Sequence, residues 1–452
     1  MLLIPTVRGI VFADAYVDFV HRSGAWAGVR RDFCWSGRCS FTVKEELSMK
    51  VGKFSVGICG LIGLLAGVGQ VWADEAAVPD SSAQGNAAVQ RLFPQSWPIS
   101  VRGWVDGGYT FNGSSPTSHF NGPYNAIDRD RPVLNQLYLV VEKALKATSG
   151  IDVGFRVDAM YGHDYFLAQS NGIERNQSGS PKWNREEHGF ALPQMYAEVG
   201  NQTVSVKAGH FYTIIGYEGV PAPANFFYSK SYSYQFAGPF THWGGLATWN
   251  VTPQVTFQGG VVNGWDAFDR RSDKPAYVLK AKYAMENNFL TASFGVITGE
   301  EPTAIAERTG QRTRYSAIIG VNPTDDLEYV FHHHYAYQED GKIGGGTARW
   351  YGIDQYLYYR LHQKVKAGLR FEWMRDEAGT RVGGSPDRGN PNFAPFAGSF
   401  YSLTGGVNYY LHPNVTIRPE VRYDWFAGGR NPYNDGQKDN QVLVAINAYL
   451  QF

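Results

Sequence analysis

Beyond residue 59 the chain contains no cysteine: its three are Cys34, Cys39 and Cys59. A protein without the first 73 residues would therefore have neither a disulfide framework nor a thiolate metal site. Long apolar runs are scarce too. Only Phe54–Val71 approaches one, and nothing after it supplies the roughly 20 apolar residues of a spanning helix. Any membrane insertion past that point has to use strands. An excess of charge of either sign is also missing, with 41 basic and 41 acidic side chains. Eight of the basic and five of the acidic residues precede Asp74, leaving 33 and 36. A slightly acidic balance excludes nucleic acid as the partner, since that needs a basic face.

What is abundant is glycine (52), tyrosine (28) and phenylalanine (27), a composition of many strands and turns. Near the N-terminus, Met49–Lys53 is basic, Phe54–Val71 is apolar, and Val71-Trp72-Ala73 puts small residues where a signal peptidase reads. This pattern predicts a secretory signal peptide at 49–73. It also predicts that Met1–Ser48 is upstream sequence assigned to the chain in error. The alternative is a cytoplasmic tail on an uncleaved anchor. Cys59 lacks the small-residue context of a lipoprotein site. Asp74–Pro98 reads as a polar periplasmic lead-in, and 99–452 as one domain.

From Ile99 onward, alternation predicts strands near 99–111, 133–145, 151–161, 189–199, 203–212, 243–251, 254–265, 276–284, 289–298, 313–321, 325–337, 348–360, 364–375, 399–411, 415–424 and 441–452. Each is close to the ~9–11 residues that a tilted strand needs to cross a bilayer. The connections alternate between tight turns, such as Gly200–Gln202 and Thr252-Pro253, and long polar stretches, such as 162–188 and 376–398. An even strand number with short turns at one rim and long loops at the other predicts an all-β, transmembrane, antiparallel up-and-down barrel of about 16 strands.

Face alternation gives that barrel an inside and an outside. Val365, Ala367, Leu369, Phe371 and Trp373 oppose Lys364, Lys366, Arg370 and Glu372. An apolar stripe is the surface that lipid requires, and about 16 strands enclose room for water. The lumen-facing candidates are Arg102, Asp106, Arg156, Asp158, Lys207, Lys280, Lys282, Arg314, Arg370, Glu372, Arg418, Glu420 and Arg422. As a set they predict a hydrated, mildly basic interior. Individually, each is a lumen charge paired with neighbours before it is a selectivity residue. Tyr161, Trp249, Trp265, Tyr335, Trp373, Tyr423 and Trp425 lie near strand ends, where interfacial girdles belong.

The third long connection, Thr213–His242, is too aromatic for a solvated loop and too broken by Pro and Gly for a strand. It needs a surface to pack on, and the barrel interior offers one. Gly216-Tyr217-Glu218, Asn225–Ser229 and Pro239–His242, with Gln194–Tyr196 before and Val262–Trp265 after, resemble the β-barrel porin-2 (OmpL-like) family of Gram-negative outer membranes. The resemblance spans about Pro98–Phe452. It implies a porin-like channel in the bacterial outer membrane, passing small solutes or ions, without identifying a substrate. The predicted constriction residues are Glu218, Asn225, Phe226, Phe227, Tyr228, Lys230 and His242. In the competing reading the loop is an ordered plug at the rim with solvated charges. The terminal strand, ending on Phe452, resembles the last strand of outer-membrane barrels, which implies recognition by the barrel-assembly machinery. Assembly as a homo-oligomer is left open.

Other patterns point away from enzymes and cofactors. On a strand His332 and His334 share a face while His333 points away, so at most two imidazoles would meet one ion, and no cofactor or metal is expected. Gly344-Gly345-Gly346 has no following Lys-Ser/Thr and makes no phosphate cradle. No Gly-x-Ser-x-Gly elbow singles out a nucleophile. A lipid-acting barrel enzyme and a sealed structural or adhesive barrel remain the rival readings.

Overall fold

The computed structural model describes residues 98–452, apart from 125–130, 177–178, 185–186, 306 and 383–395. The chain divides into two units, Met1–Ile62 and Gly63–Phe452, and every described residue lies in the second. The expected upstream segment, the signal segment and nearly all of the lead-in fall outside the described residues.

Sixteen strands follow one another: β1 Ser100–Asn112, β2 Pro132–Lys143, β3 Asp152–Gly162, β4 Gly189–Gly200, β5 Val204–Tyr212, β6 Thr241–Thr252, β7 Val255–Val262 and β8 Ala276–Ala284. The second half comprises β9 Leu290–Pro302, β10 Thr309–Val321, β11 Leu327–Gln338, β12 Ala348–His362, β13 Val365–Asp376, β14 Gly398–His412, β15 Val415–Gly428 and β16 Asn440–Gln451. Each pairs antiparallel with its sequence neighbours, and β1 pairs with β16 to close the barrel. No open edge is left in the membrane, where unpaired backbone groups are costly.

The period of two becomes an outside and an inside on every strand. On β16, Val442, Val444, Ile446 and Leu450 are 42–47% exposed, whereas Leu443, Asn447 and Tyr449 are at most 7% exposed. On the outer face of β10–β15, rings run from strand to strand: Tyr315–Tyr335 at 6.0 Å, Tyr335–Tyr351 at 5.9 Å, Tyr351–Trp373 at 5.8 Å and Tyr401–Trp425 at 5.1 Å. This is an aromatic girdle. Trp265 does not join it. The tryptophan lies past the end of β7, buried at 3% exposure inside the mouth, because the 263–275 connection folds inward.

Closure depends on Gly103. Its N–H donates to the Phe452 carbonyl and its carbonyl accepts from the Phe452 N–H, both at 2.9 Å. A Cβ there would meet the Tyr138 carbonyl at 2.3 Å and the Phe452 ring at 2.7 Å, so the terminal ring needs a glycine beneath it.

The β9–β10 hairpin runs farther than the alternation suggests, with Pro302 opposite Thr309 and Gly299 opposite Arg312. Its extension is polar on both faces (Glu300 and Gln311 against Glu301 and Arg312), which in a sequence looks like a loop. The pairing continues because a backbone ladder needs no apolar side chains.

Candidate functional site

Between β5 and β6, residues 213–240 leave the wall and cross the lumen. Two contacts fix the neck. The Thr213 N–H donates to the Phe240 carbonyl at 2.9 Å, and His242 spans Thr213 Oγ1 (3.0 Å) and the Gly264 carbonyl (2.9 Å). Gly216, at φ 120°, makes a bend that a side chain would strain. Asn225 imitates a backbone strand: its Oδ1 accepts the Gly219 N–H and its Nδ2 donates to the Gly219 and Pro221 carbonyls. Ser231 then caps a single helical turn, α1 (Tyr232–Phe236), by accepting the Tyr234 N–H at 3.0 Å.

Side chains from the opposite wall bind this loop largely through its backbone. Arg418 on β15 donates to the carbonyls of Ala222 (2.9 Å) and Asn225 (2.7 Å). It also pairs with Asp106 on β1 at 3.2 Å. Glu420 accepts the N–H groups of Tyr228 (2.8 Å) and Ser229 (3.1 Å). Arg370 on β13 donates to the Ser229 carbonyl (2.7 Å) and to Glu218 (3.0 Å). Tyr356 on β12 gives Glu218 a second donor at 3.0 Å. Arg422 reaches the Lys230 carbonyl (3.0 Å) and Glu372 (3.1 Å), and the other oxygen of Glu372 accepts the Tyr232 N–H (2.7 Å). On β2, Gln136 brackets Val220 and Ala222 at 2.8 and 3.0 Å.

The rings of the loop pack against the same side. Phe226 lies 4.7 Å from Tyr358, Tyr217 lies 4.5 Å from Tyr356, and Tyr232 lies 5.3 Å from Phe400. The guanidiniums of Arg370 and Arg422 cover Phe227 and Tyr232 at 4.8 and 4.9 Å, the geometry of a cation over a ring face. Lys230 is buried in the loop, its Nζ donating to the Gly219 carbonyl at 2.9 Å. Burial pushes this ammonium down to about 8, against the opposing pull of Asp164 and Glu218.

The loop thus brings together Glu218, Asn225, Phe226, Phe227, Tyr228 and Lys230 with Asp106, Arg370, Glu372, Arg418, Glu420 and Arg422. His242 stands apart at the neck. The remaining wall candidates lie elsewhere on the inner face. Arg102 pairs with Glu142 at 2.5 Å. Arg156 pairs with Asp158 at 2.8 Å, and Asp158 also accepts from Tyr138 at 2.6 Å. Lys207 sits over Tyr196 at 5.0 Å. Arg314, on β10, is the exception that does meet the loop, reaching the Ile215 carbonyl at 3.4 Å. Lys280 and Lys282, on β8, stay partly exposed.

Charge periodicity did not single out several anchors: Asn135, Gln136, Asp354 and Tyr356. Inward parity was the available signal for Gln136, Asp354 and Tyr356, whereas Asn135 turns inward beside Gln136 because the register shifts there, opposite Asp106 and Gly107; the loop residue each one meets is what gives it a role.

His332 and His334 face inward, and His333 turns out against Tyr315 at 5.5 Å. Among the described residues no cluster of three or more metal-ligating side chains occurs. Ser316 Oγ lies 2.9 Å from His332 Nε2, and His332 Nδ1 lies 2.9 Å from Asp354, the connectivity of a nucleophile, a base and an orienting acid. All three are at most 3% exposed. The loop covers them, with Ser233 donating to the other Asp354 oxygen at 2.8 Å and meeting His334 at 2.9 Å. This ladder holds the loop.

A narrow cavity of about 50 Å³ persists on the other side of the loop, between it and β5 and β8, lined by Tyr212, Glu218, Val220, Tyr234, Phe240 and Lys280 among others. The loop thus lies inside the barrel against one wall, with a gap along the other. The family described as "Putative beta-barrel porin-2, OmpL-like" matches residues 98–452. The chain belongs to this family. This porin is similar in fold to the outer-membrane channel DcaP of Acinetobacter baumannii (TM-score 0.53, 11% identity, 78% of this chain and 97% of that one). It is equally similar to the anion-selective porin from Comamonas acidovorans (TM-score 0.53, 11%, 78% and 99%). A further likeness is to the trimer form of OmpT of Vibrio cholerae (TM-score 0.50, 10%, 78% and 99%). No curated protein sequence matches the chain. The porin is a channel of the bacterial outer membrane for passive diffusion.

Proposed function

We propose that small hydrophilic solutes cross this porin between the third loop and the β5–β8 wall, and that the loop sets the narrowest point. The observation that carries this reading is the one-sided docking of the loop. Its backbone and side chains are bound by β10–β16, β1 and β2, while Lys280 lines the remaining gap and Lys282 follows it two residues along the same strand. Two ammonium groups on the wetted wall favour anions over cations in transit. Glu218, on the cavity lining, is the opposing charge.

A planar-bilayer recording on refolded protein tests the reading. Deleting 217–237 should raise the single-channel conductance of a barrel that still folds. An unchanged conductance would remove the loop from the path, and no conductance from the wild type would remove the channel.

Three further parts of the proposal have tests of their own. Cleavage after Ala73 predicts an N-terminus at Asp74, read by sequencing the native protein. Recognition of β16 by the barrel-assembly machinery predicts slower membrane insertion when Phe452 is removed. Self-association predicts a crosslinked homo-oligomer in native membranes.

A further inference from the structure

The lipid-facing side of the wall carries two polar side chains at depths where acyl chains offer them nothing. His333 on β11 and Gln355 on β12 both point outward and are half-buried. Tyr335 and Tyr351 belong to the girdle near the mouth, and Tyr283, Tyr359 and Tyr409 mark the opposite rim. Gln355 lies midway along β12 between Tyr351 and Tyr359, at the centre of an apolar band about 25 Å tall. His333 stands one outward position below Tyr335, nearer the mouth. Among the described residues no other amide or imidazole faces the lipid between the two rims.

The Tyr329 hydroxyl, also on the outer face, donates to Gln355 Oε1 at 2.8 Å. That contact uses one lone pair of the oxygen and neither of the amide's two donors. Among the described residues Gln355 Nε2 has no acceptor. Its surroundings supply none: Phe331 and Phe371 stand opposite Gln355 on the two neighbouring strands, and Ile353 and Leu357 flank it on its own. His333 meets the Tyr315 ring at 5.5 Å and makes no hydrogen bond among the described residues. Hydrocarbon leaves such donors unsatisfied, which is costly at mid-band.

We propose that the outer face of β11–β13 is the contact between two copies of this chain, related by a two-fold axis along the membrane normal, with the Gln355 amides paired across it. This gives a face and a symmetry to the self-association proposed above, and rests on it. Apolar packing alone does not favour a second barrel over lipid, because the two are equally apolar, whereas a hydrogen bond does. Copies inserted in the same sense meet at equal depth, so a mid-band amide needs a mid-band partner. With no other amide on the described outer wall at that depth, the group that answers it is the partner's Gln355. Each Nε2 donates to the opposite Oε1, whose second lone pair the Tyr329 contact leaves open. Phe331, Ile353, Leu357 and Phe371 then seal the amide pair from lipid. Such a contact is self-complementary and closes at two copies.

The barrel has no cysteine of its own, so single cysteines report the face directly. Phe331→Cys, and Val157→Cys on the opposite wall as control, are treated in native outer membranes with a short bismaleimide. The first should give a covalent dimer and the second should not. In detergent, sedimentation equilibrium should show Gln355→Leu raising the dimer dissociation constant about tenfold, the loss of two hydrogen bonds of the modest strength found between membrane segments. Heat-modifiable gel mobility shows that the variant barrel is intact, and bilayer recordings on the same preparation read the channel separately. A wild type that stays monomeric would overturn the self-association and this face together. Oligomers that Gln355→Leu leaves unchanged, or that link through position 157 and not 331, would overturn the face and leave self-association standing. A trimeric mass would overturn the two-fold axis.

Discussion

The two sides of this barrel use the same kind of residue for opposite ends. On β12–β15, Asp354, Arg370, Glu372, Arg422 and Asp424 face inward at no more than 1% exposure, sealed beneath the third loop. On β6–β8, Thr248, Gln258, Lys280 and Lys282 face inward and stay partly wet. Both sets obey the alternation of a barrel wall. What separates them is a second surface. A buried charge is tolerated when it is paired and its remaining hydrogen-bonding capacity is filled, and the loop backbone supplies those partners on one side only. An inward charge therefore marks a lumen position, while the element lying over it decides between anchor and channel lining.

The comparison breaks most severely if an anchor is removed. Glu372→Ala leaves Arg370 and Arg422 buried without the carboxylate between them, a loss of about 3–5 kcal/mol for a buried pair. The loop should leave the wall, giving a larger and noisier conductance and protease cleavage within 217–237. Resistance to protease together with normal conductance would show that the anchors are redundant. Phe240→Ala should have a smaller effect, since it widens the cavity beside Lys280 without touching the clamp. Conductance should rise with the loop still protected, and a loss of protection would mean the ring is structural.

Changing the wet side should alter selectivity more than size. Lys280→Glu with Lys282→Glu should move the reversal potential in a salt gradient toward cations, with thermal stability within about 0.5 kcal/mol of wild type, as for a surface exchange. A large destabilisation would place these lysines among the anchors. The smallest effect concerns pH. Lys230 carries its charge below about 8 and loses it above. Anion preference should therefore fall as pH rises through that value, and the shift should vanish in Lys230→Met. A wild-type reversal potential that stays flat from pH 7 to 9 would show that this ammonium does not face the path.

The barrel was largely legible because its signal is local. Alternation along Val365–Trp373 or Gln441–Phe452 reports a lipid face whatever the distant chain does. The inward loop was legible for a similar reason, since Phe226, Phe227, Tyr228, Tyr232 and Tyr234 are too apolar to be left in water. Where it docks was not legible. Glu218 meets Arg370 across 152 residues, and Arg418 meets Asp106 across 312, and no periodicity links such pairs. Trp265 misled because it stands at the end of a strand pattern whose continuation turns inward.

The Gly103–Phe452 pairing also imposes an order on assembly. The strand that forms β1 has its second partner at the far end of the described chain, so its outer edge cannot be satisfied until β16 has arrived. Contacts between such distant segments are the slowest to form. Until then a partly built sheet presents two unpaired edges, each intolerable in hydrocarbon. Fourteen or fifteen correct strands therefore give no stable intermediate in the bilayer, and the barrel becomes viable in a single closing step. A defect at that seam, such as Gly103→Val, should leave every individual hairpin sound and still yield no membrane protein at all.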